Sequence, residues 1–343
     1  MSTDPVVVAD ANWRAHGWDT GPYFRAALSI YRANELIRQS NEAALAPHGL
    51  THSRHEALAV LYFSRLGEMP LGRLSARLLV HPTSVTSTVD TLEQLGHVER
   101  VAHPTDRRTT LARITPTGRR AMEESCRVMA DGSGGLAALT QRQAGRLFTI
   151  LKQVRAAAGD LEQGGDGRTA DPVVGADRNW KSRGWDTGNH FRASLSVYRT
   201  DELIRQSSKE ALDPHGLTSS RHEALAVIYF SRHGEMPLGR LSARLLVHPT
   251  SVTSTVDTLE RLGHVRRVAH PTDRRATLAR ITPKGRRAIE ASNRDMVAAC
   301  FGLGALDEAR ADALFSILSK VRGEGAEPTI TVPTARSARS TDA

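Results

Sequence analysis

Two cysteines in 343 residues, Cys126 and Cys300, are too few for a disulfide framework. Such usage fits a reducing cytoplasm, where disulfides are rare, and the cytoplasm is the expected location. Long apolar runs are missing as well. Nothing approaches the roughly 20 residues that span a bilayer, so no membrane partner is expected. The opening MSTDPVVVADANW has no basic stretch followed by an apolar run, which argues against a secretory signal. Also absent are a P-loop, a Gly-rich dinucleotide fingerprint, a G-x-S-x-G elbow and a metal triad. Neither an enzyme nor a cofactor is expected. Acidic residues are in deficit: 37 Asp and Glu face 46 Lys and Arg, a net charge of +9. That balance favours a polyanionic partner, provided the arginines cluster.

What is present is an internal repeat. Residues from about 10 to 155 return 167 positions later without insertion or deletion. NWRAHGWDTG (12–21) recurs as NWKSRGWDTG (179–188), and MPLGRLSARLLVHPTSVTSTVDTLE (69–93) recurs unchanged at 236–260. A period this long is a whole domain used twice, not a solenoid unit. The reading is a first domain at 10–157, a Gly- and Asp-rich linker at 158–172, a second domain at 173–322 and a polar, disordered tail at 323–343. Very few positions differ between 53 and 121 and their counterparts, whereas about half differ across 122–155. Recent duplication alone does not explain that gradient; either terminal helices tolerate change better, or 53–121 is held to a shared task.

Within one copy, Phe24 to Ala46 carries apolar residues at helical spacing and is stopped by Pro47, His48 and Gly49. Thr51 or Ser53 can cap a second helix running to Arg65. After a break at Gly67–Pro70 comes a short helix, Leu71 to Leu79. Pro82 then suits the first position of a fourth helix. Its apolar stripe is Val85, Val89, Leu92 and Leu95, and Gly96 ends it. VERVAHPTDRRTTLARIT alternates around a Pro-Thr-Asp turn, the pattern of a β-hairpin. Thr115-Pro116-x-Gly118 opens a fifth helix, and Gln141 to Ala156 forms a sixth. The fold class is therefore mainly α with small β-hairpin wings: two winged helix-turn-helix domains.

The outer face of the fourth helix carries Thr83, Ser84, Thr86 and Ser87, repeated as Thr250, Ser251, Thr253 and Ser254. Solvated faces usually carry Lys and Glu, and this one is almost uncharged. Short hydroxyl side chains suit insertion into a major groove about 12 Å wide. Arg107 and Arg108, with Arg274 and Arg275, lie at the hairpin tips and can enter a minor groove. Asp106 and Asp273 are expected to pair with those arginines and fix them. Arg73 and Arg77, with Arg240 and Arg244, are candidate phosphate contacts, as is Arg113. The expected partner is double-stranded DNA.

The combination resembles the MarR (multiple antibiotic resistance regulator) family of bacterial repressors. The matching residues are Leu74-Ser75-Ala76, Ser84-Val85-Thr86, Leu95-Gly96-His97-Val98, Pro104-Thr105-Asp106-Arg107-Arg108 and Thr115-Pro116-Thr117-Gly118. In the second copy they include Leu241-Ser242-Ala243, Ser251-Val252-Thr253, Pro271-Thr272-Asp273-Arg274-Arg275 and Thr282-Pro283-Lys284-Gly285. The resemblance implies a dimer on a pseudo-palindromic operator, paired through the first, fifth and sixth helices. It also implies repression relieved by a small aromatic or anionic effector. Family members ordinarily carry one domain per chain. The fused copies are thus expected to form the dimer internally, as a pseudo-dimer, with further self-association left open. A non-specific architectural DNA-binding protein is the alternative.

The resemblance places effectors between the dimerisation helices and the DNA-binding lobe. Candidates are Trp18, Tyr31, Arg54 and His55, with Trp185, Tyr198, Arg221 and His222. Some urate-responsive relatives place a Trp of an added N-terminal helix in the pocket, and the Trp13/Trp18 segment is similar. The competing and preferred reading is that these tryptophans staple that segment to the core. His52-x-x-His55 has metal-ligand spacing, but Ser219 replaces His52 in the second copy, so no metal is expected. Cys126 maps to Asn293 and Cys300 to Ser133, which argues against a redox switch. Near the DNA face, Gln94, Glu99 and Thr117 become Arg261, Arg266 and Lys284, all toward positive charge.

Overall fold

A computed structural model describes residues 4–106, 109–163, 169–270 and 277–324. The first copy begins with α1 (Pro5–Ala15), capped by the Asp4 carboxylate accepting from the Val6 N–H, and α2 (Tyr23–Leu45). There follow α3 (His52–Tyr62), β1 (Glu68–Pro70), α4 (Leu71–Leu78) and α5 (Pro82–Gln94). β2 (Val98–Ala102), β3 (Thr110–Ile114), α6 (Pro116–Asp131) and α7 (Gln141–Ala157) complete it. A short ladder of β4 (Glu162–Gln163) and β5 (Thr169–Ala170) lies in the connector. The second copy repeats the order: α8 (Pro172–Lys181), α9 (His190–Ser207), α10 (Lys209–Leu212), α11 (Ser219–Tyr229), β6 (Glu235–Pro237), α12 (Leu238–Leu245) and α13 (Pro249–Arg261). It ends with β7 (Val265–Ala269), β8 (Thr277–Ile281), α14 (Pro283–Ala298) and α15 (Glu308–Glu324).

The helix ends follow the sequence signals. Thr51 caps α3 and Thr115 caps α6, each accepting from a backbone N–H three residues on. Pro82 and Pro116 sit in the first turn, where a missing N–H costs nothing. Gly118 is required for another reason: a Cβ there would strike the His97 carbonyl, so α6 starts hard against β2. Leu95, expected on the apolar stripe of α5, is instead 38% exposed at the helix C-cap. Val85, Val89 and Leu92 are buried as their spacing requires. The wing is more than a hairpin. β1, within the stretch read as a break, pairs antiparallel with β3, giving the order β1-β3-β2; β6-β8-β7 repeats it.

The described chain packs as two compact units, and they do not coincide with the two copies. The first unit holds residues 29–203 and 313–324, and the second holds 4–28 and 204–312. The first copy's winged helix thus shares a unit with α8 and the start of α9, from the second copy. Trp180 and Trp185 join the buried cluster that includes Leu58, Leu61, Tyr62 and Met122. In the second unit Trp13 packs with Phe24 and Phe301, flanked by Trp18 and Phe230. The tryptophans do act as staples, but each pair staples its segment to the other copy's winged helix.

The same exchange shows in hydrogen bonds. His190 at the start of α9 bonds the Leu139 carbonyl through Nε2 at 2.7 Å in the first unit. Its counterpart Tyr23 donates its hydroxyl to the Leu306 carbonyl at 3.1 Å in the second. The physical reason is degeneracy: both copies offer the same acceptors and the same apolar sockets, so geometry alone selects the donor.

The stretch 158–172, expected to be a plain linker, is anchored at both ends. Arg155, fully buried on α7, donates to Asp160 at 3.1 Å and to both oxygens of Asp171 at 2.8 and 3.0 Å. Arg199 also binds Asp160. Burial raises the Asp171 carboxyl, but the Arg155 guanidinium outweighs it and holds the group below its ordinary value. The expected tail overlaps α15, which runs to Glu324; residues 325–343 lie outside the described residues. No helix among the described residues is long and apolar enough to cross a membrane.

Candidate nucleic-acid interface and ligand cavity

Thr83, Ser84, Thr86 and Ser87 are all exposed on α5, and Thr250, Ser251, Thr253 and Ser254 on α13. The helix start is built by His81, whose Nδ1 accepts from the Thr83 N–H at 3.3 Å and lies 3.0 Å from the Thr83 hydroxyl. Thr86 and Thr91 donate their hydroxyls back to the carbonyls of Pro82 and Ser87, each at 3.1 Å. A back-bonded threonine keeps its hydroxyl lone pairs as acceptors and turns its methyl outward. His248, Thr253 and Thr258 repeat this arrangement on α13.

Arg107, Arg108, Asp273, Arg274 and Arg275 lie outside the described residues. Asp106 is exposed, and its Oδ2 accepts from the Thr109 hydroxyl at 2.5 Å. Position 109 becomes Ala276 in the second copy, so that bond belongs to the first wing alone. Arg73, Arg77 and Arg240 are exposed, with Arg244 half-buried beside Arg240. Burial, then the neighbouring Arg240 charge, pushes the Arg244 guanidinium below its ordinary value, as expected where cations crowd. Arg113 is occupied otherwise: its guanidinium binds Glu68 at 2.6 Å and Glu99 at 3.5 Å.

One positioning residue escaped the sequence reading. Arg100 on β2 binds Asp90 at 2.6 Å and Glu93 at 2.5 Å, both on α5, and its N–H donates to Glu93 at 3.1 Å. It fastens the wing to the helix with the hydroxyl face. Arg267, Asp257 and Glu260 do the same in the second unit. The available signal was two acids at positions i and i+3 facing the arginine of the next strand.

The two units differ in charge where expected. Glu99 opposes Arg113 across the first sheet, whereas Arg266 opposes Arg280 across the second. Arg261 and Arg266 are exposed. Lys284 has a structural task, since its ammonium donates to the Leu262 carbonyl at 2.8 Å and caps the end of α13.

The first unit also encloses a cavity of about 880 Å³. Its wall includes Arg73 and Arg77 of α4, so whatever occupies it touches the helix-turn-helix directly. The aromatic side is Trp180 stacked on Phe191 at 4.3 Å, with Tyr198 facing the His52 ring at 5.3 Å. Trp180 Nε1 and both ring nitrogens of His52 are buried without a hydrogen-bond partner. His55 lines the cavity beside the buried Cys126 thiol, 3.6 Å away. Burial, then His52 and His48, drives the His55 imidazole down to about 3, so it stays neutral. Burial, then Glu56 and Glu202, raises the Tyr198 phenol.

Of the sequence-derived effector residues, His55 and Tyr198 line this cavity. Trp185 lies in the core against Tyr62 and Phe63, and Trp180 takes the cavity wall. Arg54 donates to the Gly49 carbonyl at 3.0 Å, and the Arg221 backbone N–H donates to the hydroxyl of Thr218, the N-cap of α11. In the second unit Trp18 packs edge-on to Trp13 at 5.3 Å, and His222 bonds Asn293 at 2.8 Å. Tyr31 is half-buried on α2. Among the described residues no cluster of three or more His, Cys, Asp or Glu is arranged to hold a metal.

Comparison with known proteins agrees with this architecture. A MarR family model matches residues 48–109 and again 215–276, one winged helix per copy. The HTH-type transcriptional regulator MhqR of Bacillus subtilis (strain 168) is 35% identical over 91 residues, 26% of this chain and 61% of that protein. The uncharacterized HTH-type transcriptional regulator YsmB of the same organism is 30% identical over 96 residues, 28% of this chain and 64% of that protein. The matches thus span less than two thirds of either relative. The crystal structure of Sco5413, a MarR family transcriptional regulator from Streptomyces coelicolor, shows 42% identity, covering 38% of this chain and 91% of that one, with a TM-score of 0.36.

Proposed function

As this chain belongs to the MarR family, with one family match in each of two fused copies, we propose that it is a sequence-specific DNA-binding transcriptional regulator working as an intramolecular pseudo-dimer. The family is one of transcriptional regulators rather than enzymes. The observation that carries the reading is the pair of identical, exposed, nearly uncharged hydroxyl faces on α5 and α13. Each is followed by a wing fastened to it by an arginine. Ser and Thr at those positions reach base edges, while Arg73, Arg77, Arg240 and Arg244 contact phosphate.

A pseudo-dimer is supported by one contact inside the first unit. Asn34 Nδ2 donates to Asp201 Oδ2 at 2.9 Å, and these two residues occupy the same position in the two copies. A position that touches its own counterpart is the mark of an isologous two-fold interface. Fusion then holds the second half at high effective concentration, so pairing survives dilution.

The regulator represses from an inverted-repeat operator and is released by a small aromatic anion in the cavity behind α4. Footprinting on the gene's own upstream region tests this. Protection of one inverted repeat by one chain is the expected result. Uniform coverage, independent of sequence, would replace this reading with that of a non-specific architectural DNA-binding protein.

A further inference from the structure

The cavity's lining includes three glycines, Gly159, Gly175 and, beside Ser194, Gly134. Gly134 sits in the turn after α6 at φ 59°, ψ 30°. At the same position of the second copy stands Phe301, in nearly the same left-handed conformation at φ 53°, ψ 31°. A non-glycine residue at positive φ is strained, so the surroundings must hold it there. What holds it is aromatic packing: the Phe301 ring lies 5.4 Å from Trp13 and 5.3 Å from Phe24, and all three are buried. Trp13 and Phe24 are the counterparts of Trp180 and Phe191, the stacked pair that walls the cavity in the first unit. The phenyl ring therefore occupies, in the second unit, the space that Gly134 leaves open in the first. A second difference runs the same way. His52, whose buried ring makes no hydrogen bond and lies 3.4 Å from Glu56 beside the cavity, is Ser219 in the second copy.

The polar groups around the open cavity say what it takes. Of its two carboxylates, Asp160 is held by Arg155 and Arg199, and Glu56 by Tyr198 and, through Oε1, by His52 at 3.4 Å, while Glu56 Oε2 is buried without a hydrogen-bond partner. The Trp180 indole N–H, buried and unpartnered, is a donor awaiting an acceptor. Arg73 and Arg77 add positive charge at the α4 side. A flat aromatic body between Trp180, Phe191 and Tyr198, bearing an anionic group toward these donors, matches the aromatic wall, the Trp180 N–H and the arginine charge.

We infer that the two halves are unequal receptors: the first unit binds one aromatic anion, and the second carries Phe301 as a permanent occupant of the same place. The chain then responds to its ligand through the first half alone, without cooperativity between two sites. This rests on the effector reading above and sharpens it to a single responsive site.

The test uses 2-naphthoate as probe on the full chain, with stoichiometry from calorimetry and quenching of tryptophan fluorescence. The wild type is expected to bind in the first unit only. Gly134→Phe, which copies a residue this backbone already tolerates at position 301, should weaken binding at least tenfold. Phe301→Gly should add a second site. If two naphthoates bind the wild type and one persists in Gly134→Phe, the asymmetry is wrong, while the effector reading stands. If both are lost in a folded Gly134→Phe, both lie in the first cavity: the count of one ligand is overturned, while the asymmetry between the halves holds. Should Gly134→Phe fail to fold, a wild type binding one naphthoate and Phe301→Gly binding two sustain the inference. Phe301→Gly folding without a gain in stoichiometry overturns it. No saturable binding to the wild type overturns the aromatic-anion reading and this inference with it; the operator footprint, which needs no ligand, is untouched by that result.

Discussion

Single residues carry much of the interface geometry. Arg100 and Arg267 contact no nucleic acid in this scheme; they hold the wings against α5 and α13. Replacing both with alanine should weaken operator binding about tenfold while leaving the slope of log K against log salt nearly unchanged. Loss of a direct phosphate contact would instead lower that slope by roughly 0.9 per contact. A titration of affinity against salt distinguishes the two. Gly118 and Gly285 are fixed by close approach, since a Cβ at either strikes a histidine carbonyl. Gly118→Ala should cost about 1–3 kcal/mol, read by urea unfolding. That glycine was legible as part of Thr-Pro-x-Gly, but its reason was not, because the carbonyl it meets belongs to His97, on the far side of the hairpin in the sequence.

At the scale of elements, helices and their caps were largely readable, because they depend on neighbours in the chain. Apolar residues at helical spacing, Thr51 and Thr115 as caps, and Pro82 in the first turn all act within a few residues. The third strand of each wing was not readable. β1 is three residues long, and its partner strand β3 is distant in the sequence. The anchoring of the connector was not readable for a similar reason: its Asp160 and Asp171 look solvated until Arg155 is placed between them. Arg155→Met removes the cation from a buried cluster and should destabilise the protein by about 3 kcal/mol, measured as a lower urea midpoint.

For the whole molecule, two predictions concern charge. His55 and His222 are buried and neutral, held down to about 3 and about 4, chiefly by burial. Their unfolded value is 6.5. Below that pH the unfolded chain takes up protons that the folded chain refuses, so stability falls as pH falls from about 6.5 to 4. Each histidine contributes a slope of roughly 1.4 kcal/mol per pH unit. Urea melts at pH 7 and pH 5 should show the loss, and His55→Gln should remove its share. The second prediction follows from Arg261 and Arg266. Reverting them to Gln and Glu, as in the first copy, should flatten the salt dependence of DNA binding by about 1–2 units of slope. Lys284→Thr should do little, because that ammonium caps α13.

The sequence by itself determined the repeat, the winged helices, the hydroxyl faces and the apolar stripes, since each is a pattern of period two or 3.6 residues or a comparison of one copy with the other. It also pointed to tryptophans as staples and to His55 and Tyr198 as cavity residues. Only the tertiary structure decided which copy each staple joins. Two copies with the same sockets are degenerate in one dimension, and the choice depends on where α2 and α9 carry their starts. Likewise it decided that Trp180 rather than Trp185 faces the cavity, and that Gly134 and Phe301, mere differences in the variable stretch, separate an open chamber from a filled one. Those outcomes depend on which side chains from distant segments share a volume, and no local pattern encodes that.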